Sequence, residues 1–172
     1  MVCYITILVA ALIMPALATA SCHLKNQLSD SDPPPKLKPE LCVSQGEGSW
    51  TFAMDVHEID VPTFNSGSPW TGLVSGNSFI IYDNDCTAKG GYSPAAEGND
   101  CGIPFVIDED FLPYVLTIKE INTDVGDPRF KFAYANGQYS IGENGCACKD
   151  VSHDLEAEQA CKCAFPLEGE PS

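Results

Sequence analysis

The sequence predicts an all-β chain, a mainly antiparallel barrel or sandwich stapled by disulfides, with one short C-terminal helix. Three observations carry this expectation. Apolar and polar residues alternate with a period of two in Trp50–Val56 and again in Phe130–Tyr134, as in strands that bury one face. An Asn136-Gly137 dipeptide separates the second stripe from Tyr139 and Ile141, which is turn chemistry between paired strands. The chain also holds 9 cysteines, and an even set remains once Cys3 is removed with the first 20 residues.

Residues 1–20 read as a cleaved secretory signal. Ile5–Met14 is apolar, Pro15 breaks the run, and Ala18-Thr19-Ala20 places small residues before a cleavage point at Ser21. The run is shorter than the about 20 residues that a membrane span requires. Residues 21–41 are expected to form an extended N-terminal arm, because Ser29–Pro39 concentrates proline, aspartate and lysine. A single β domain then covers residues 42–166. Its first strand places Trp50, Phe52, Met54 and Val56 on an inner face and Thr51, Ala53, Asp55 and His57 on an outer one. Ser78–Tyr82 and Tyr114–Ile121 are further strands, rich in β-branched and aromatic residues, the second with Tyr114, Leu116 and Ile118 on one face. Residues 129–142 form a hairpin whose turn, Asn136-Gly137, favours positive φ at both positions. Ser152–Ala160 is the expected helix, with Ser152 as its cap and a body rich in Glu and Ala. Residues 167–172 are a short acidic tail that should fray.

Without Cys3 the framework comprises Cys22, Cys42, Cys86, Cys101, Cys146, Cys148, Cys161 and Cys163. Two C-x-C pairs share one centre of symmetry, so on a folded-back segment Cys146 faces Cys163 and Cys148 faces Cys161. Cys86 and Cys101 flank the Gly-rich stretch Thr87–Asp100 and are expected to close it as a loop. Cys22 with Cys42 then ties the arm to itself. Four thiols at this spacing offer soft ligands to zinc or copper, but structural zinc sites favour C-x-x-C spacing and a secreted chain is oxidised. No metal and no cofactor are expected.

Charge excludes further classes. With 24 acidic against 9 basic residues and a formal net charge of −15, the chain repels phosphate backbones and anionic lipid, so nucleic-acid and membrane partners are not expected. H-E-x-x-H, G-x-S-x-G, Walker and G-x-G-x-x-G motifs are all missing, no catalytic residue is assigned, and the chain is read as a non-enzyme. Asp55 and His57 share the outer strand face and read as a solvated polar row rather than an acid–base pair. Asp83-Asn84-Asp85, Asp108-Glu109-Asp110 and Asp124 with Asp127 carry the oxygens that calcium takes, but none fits the D-x-[DN]-x-[DN]-G loop, and Asp and Asn are turn formers.

The order of these features resembles that of the fungal secreted β-barrel proteins related to the Alternaria major allergen. The features are the leader, the strand opening at Trp50, Ser78–Tyr82 running into Cys86, the Cys86/Cys101 loop, the Tyr114–Ile121 and Phe130–Tyr134 strands, and the late cysteine loop. The doubled C-x-C at 146/148 and 161/163 departs from the simpler late pair of that family. The resemblance implies a secreted, disulfide-stapled scaffold without catalytic machinery, perceived by or acting on a plant host. The expected function is a secreted effector or elicitor that binds a host protein as a monomer. Loops Asn65–Gly76 and Thr87–Asp100 would supply the contacts, with Trp70, Lys89 and Tyr92 as candidate binding residues. Two alternatives remain: an inhibitor of secreted hydrolases that inserts Lys89–Pro94 into a cleft, and a small carbohydrate-active protein using scattered carboxylates with Trp70 as a stacking platform.

Overall fold

The computed structural model describes residues 21–28, 39–62, 70–94, 102–154 and 156–169, with backbone only at 39, 59–62 and 70–75. The expected leader, most of the Pro-rich segment, and residues 63–69 and 95–101 lie outside the described residues.

Among the described residues, ten strands form two five-stranded sheets. The first sheet holds, in spatial order, β1 (Cys22–His23), β5 (Phe105–Ile107), β6 (Leu116–Asn122), β7 (Arg129–Tyr134) and β8 (Gly137–Ser140). The second holds β4 (Ala88–Tyr92), β3 (Trp70–Tyr82), β2 (Ser49–Pro62), β10 (Glu156–Pro166) and β9 (Ala147–Asp150). Pairing is antiparallel except between β1 and β5. The sheets face one another across one core and do not close into a barrel, so the sandwich is the architecture found.

The stripe Trp50, Phe52, Met54 and Val56 is the inward row of β2 and is buried. Phe52 is its centre: its ring lies 5.5 Å from Phe79 on the neighbouring strand, and 5.2 and 4.8 Å from Phe130 and Phe132 on the opposite sheet. Phe132 continues the layer to Tyr139 at 4.8 Å, and Phe165 of β10 meets Tyr134 at 4.8 Å. Aromatic rings bury the largest areas of any side chains and prefer offset or edge-on pairs at such spacings, so this layer is the main adhesive between the sheets.

The outer row of β2 departs from the simple alternation, because Thr51 and Ala53 are fully buried instead of solvated. Leu41 and Cys42, at the end of the 3-10 turn Pro39–Leu41, cover them and form a second small core with Tyr82 and Ala160. Thr51 fixes this cover by accepting from Val43 N at 3.2 Å and donating to Val43 O at 3.1 Å, and Lys162 Nζ donates to Cys42 O at 3.1 Å. Period two reports which residues share a face; it does not report that a covering segment exists. The beginning of the expected extended arm is also drawn into the body. Cys22 and Leu24 donate backbone bonds to Pro104 O and Val106 O, and Gln27 N donates to Gly91 O, so residues 22–28 run from β5 of one sheet to β4 of the other. At the opposite terminus Leu167 packs on the main core, with its N–H bonded to Gly48 O.

Four expectations are corrected. Ser152–Ala160 is not a helix: no α-helix occurs among the described residues, and Glu156–Ala160 opens β10, which pairs with β2 from Glu156↔Ile59 to Pro166↔Ser49. Eleven residues of ladder on one side and cross-strand disulfides on the other outweigh a helix preference of a few tenths of a kcal/mol per residue, roughly. Trp70 to Gly76 form no loop but the first half of β3, paired with β2. Lys89, Gly90 and Gly91 likewise sit in β4. The glycines there serve packing, since a Cβ on Gly90 would lie 2.3 Å from the Tyr92 hydroxyl. The hairpin turn of β7 and β8 is Ala135-Asn136, one residue early, with Tyr134 paired to Gly137 and positive φ at Ala135. Gly137 is needed inside the strand because Tyr139 folds over it, 2.5 Å from where a Cβ would stand.

The disulfides are the fourth correction. Cys146–Cys163 and Cys148–Cys161 join β9 to β10 as the nested spacing favours, with Cys148 and Cys161 in direct register. Cys86, however, bonds Cys42 rather than Cys101. Cys22 cannot serve Cys42, because Cys22 belongs to the core between the sheets and Cys42 to the cover on the outer face of the second sheet. Fixing residues 44 apart removes about 4 kcal/mol of unfolded-state entropy in the chain-entropy model.

Two measurements follow. Phe52→Ala is expected to lower unfolding free energy by about 3–5 kcal/mol in urea, and a change below about 1 kcal/mol would contradict the aromatic layer as the main adhesive. Cys22 is itself disulfide-bonded and stands in register beside Phe105, away from the Cys42 cover. Non-reduced peptide mapping is expected to recover Cys42–Cys86; recovery of Cys22–Cys42 would contradict the pairing.

Candidate functional site

The residues singled out for binding do not come together. Trp70 lies in β3 and its side chain is outside the described residues. Lys89 is exposed on the edge strand β4. Tyr92 is buried, with its hydroxyl donating to Glu109 Oε1 at 3.2 Å, and so offers no surface contact. Since Lys89–Tyr92 is paired strand, the segment favoured for insertion into an enzyme cleft is not a protruding loop.

The acidic triplets behave as turn chemistry. Asp83 Oδ1 accepts from Asp85 N at 3.0 Å and Thr87 N at 2.8 Å, holding the turn between β3 and β4. Asp124 Oδ1 accepts from Gly126 N at 2.9 Å, and Asp127 pairs with Arg129. Asp108 is exposed after β5, while Glu109 is engaged by Tyr92.

Two surfaces stand out instead. The first is apolar. Tyr114 and Val115 precede β6 and are 46% and 44% exposed, although the alternation put Tyr114 on the inner row with Leu116 and Ile118. Pro113 was the available signal, because a proline cannot donate to a ladder and delays the strand beyond it. Tyr114 is not loose: its ring stands edge-on to Tyr134 at 5.8 Å, and the Tyr134 hydroxyl donates to Leu167 O at 2.7 Å. Tyr114 borders a depression of about 410 Å³ with Ala135, Asn136 and Glu168. A braced, half-exposed tyrosine beside a hairpin turn is the kind of group that anchors protein contacts, because it contributes large area at small entropic cost.

The second surface is polar and lies on the outer face of β2 and β10. In register, His57 stands between Glu158 and Gly76, and Asp55 between Ala160 and Ser78. His57 is half-buried and its ring covers Gly76, whose Cβ would fall 2.3 Å from the imidazole. Glu158 is completely buried, and beyond it one oxygen each of Glu158 and Glu156 and a ring nitrogen of His153 converge within 4.8 Å. The sequence pattern H-x-x-E-x-E was legible, but the helix expected there would have splayed it. Next to this row, burial and then the negative charge of Asp55 push the Tyr82 hydroxyl well above the usual phenol range. Burial, then the charge and hydrogen bond of Glu109, do the same to Tyr92.

No protein-family model matches the chain, and no match was found among curated proteins or among solved structures.

A phenol that holds its proton more tightly when folded supports the fold below its ordinary pKa of about 10 and ceases to as pH rises toward the folded value. Stability is therefore expected to fall above about pH 10, with Tyr82 and Tyr92 ionising only as the chain unfolds. Absorbance at 295 nm followed alongside circular dichroism tests this. Complete ionisation of all tyrosines with the fold intact would contradict the burial of these two hydroxyls.

Proposed function

We propose that this protein is a secreted effector or elicitor of the fungal type, which binds a host protein and modulates plant defence. The observation that carries the reading is the Tyr114–Val115 surface on a cross-linked body. Three disulfides are consistent with an extracellular, oxidising setting, and stapled strands resist the local opening that proteases need. On such a body Tyr114 is held by Tyr134, and Val115 extends the apolar contact. Specific recognition needs a few rigid anchors of this type surrounded by polar surface, which the acidic composition provides. The plant-host context comes from the resemblance in strand and cysteine order. The alternative of a hydrolase inhibitor gains less support, since Lys89–Tyr92 of its expected inserting segment lies in the paired strand β4.

The test is the defence oxidative burst in leaves expressing the chain with residues 1–20, the chain without them, and a matched inert secreted protein. The secreted form is expected to change the burst, and Tyr114→Ala combined with Val115→Ala is expected to remove that effect while leaving the secreted protein at the same level. A burst indistinguishable from the control with oxidised protein present, or an effect untouched by the double substitution, would overturn this reading.

A further inference from the structure

We propose that His153, Glu156 and Glu158 form a binding site for a divalent first-row transition ion, zinc foremost, on the hairpin that connects β9 to β10. The strand geometry aligns the three side chains. His153 and Glu156 exchange both backbone hydrogen bonds, each at 3.0 Å, across the turn that begins at Asp154. Residues paired in this way carry their side chains on the same face, and Glu158, two residues further along the strand, shares that face. The hairpin is braced below: Val151 N donates to Glu158 O at 3.0 Å, and Glu158 N donates to Ser152 Oγ at 2.9 Å. Backbone pairing therefore delivers one imidazole and two carboxylates to one place, their ligand atoms within 4.8 Å of one another.

The second observation concerns the histidine itself. His153 Nδ1 lies 2.9 Å from Val151 O. A carbonyl only accepts, so the contact requires a proton on Nδ1, and in the neutral ring that tautomer leaves the lone pair on Nε2. This is the arrangement found around metal-bound histidines, whose second ring nitrogen donates to a backbone carbonyl or carboxylate and so fixes the tautomer. Val151 is no member of the ligand set, so this bond prepares the ring independently of the carboxylates.

The donor set selects the ion. One nitrogen and two carboxylate oxygens with a fourth position for water suit tetrahedral zinc, whereas calcium requires six to eight oxygens and takes no imidazole. Ligands of a tetrahedral zinc stand about 3.5 Å apart, so closure requires a contraction of about 1 Å, within rotamer reach of the exposed His153 and half-buried Glu156. Glu158 is fully buried within the outer-face row and sets the position of the ion. His57, although opposite Glu158 in register, leans over Gly76 and is not a ligand.

Zinc is titrated calorimetrically into the oxidised, chelator-stripped chain lacking residues 1–20. One ion per chain is expected, with a zinc-dependent rise in melting temperature. His153→Ala and Glu156→Gln, both at accessible positions, should bind on the order of tenfold or more weakly and lose that rise while keeping the metal-free melting temperature of the parent. His57→Ala should bind as the parent does. Absence of zinc uptake, uptake unchanged in both ligand variants, displacement of zinc by millimolar calcium, or loss of binding in His57→Ala alone would each overturn the proposal.

Discussion

Phe52 is where the two sheets meet, and the rest of the structure is arranged around its ring. β2 carries it between β3 and β10, and Phe130 and Phe132 of the opposite sheet close on it from across the core. Dense packing of this kind leaves little freedom for neighbours: Phe132 must stack on Tyr139, and Tyr139 in turn needs a residue without a side chain at Gly137. A single aromatic layer thus propagates into the choice of glycine in a strand two elements away. It also explains why the Asn-Gly dipeptide does not act as the turn, since its glycine is occupied by packing.

The covalent cross-links distribute differently from the aromatic ones. Cys146–Cys163 and Cys148–Cys161 bind β9 to β10, and Cys42–Cys86 fastens the covering segment to the end of β3, so these three bridges all reinforce the second sheet. The two sheets hold to each other by rings and by the crossing of residues 22–28 from β5 to β4. For these three bridges, stapling within the second sheet is separate from the packing between the sheets. The second sheet is also buried on both faces near Thr51 and Ala53, which makes it the more rigid platform for side chains on its outer row. Glu158 projects from that platform, at the far end of the row from the cover.

What the sequence disclosed was local. The stripes Trp50–Val56 and Phe130–Tyr134 report strands directly because each residue's face follows from its own position. The nested C-x-C pairs were legible because a hairpin maps spacing onto register. Non-local facts were hidden: the preference of Glu156–Ala160 for helix is overridden by a strand more than ninety positions earlier, β2, and Cys42 finds Cys86 because a segment wraps over the outer face. The same blindness affected the sites. Tyr92 reads as a loop residue until β4 pairs with β3 and buries it, and His153, Glu156 and Glu158 converge because their segment is a hairpin.

The two candidate surfaces, a braced tyrosine at one place and a His–Glu–Glu set at another, share no cleft among the described residues. Both depend on the sandwich being packed as described. Nuclear Overhauser spectroscopy on the oxidised protein tests that packing most directly. Cross-peaks between the ring protons of Phe52 and those of Phe130 and Phe132 are expected, because the ring centres lie 5.2 and 4.8 Å apart. Contacts from Phe52 confined to Phe79 and its own sheet, with none to Phe130 or Phe132, would contradict it.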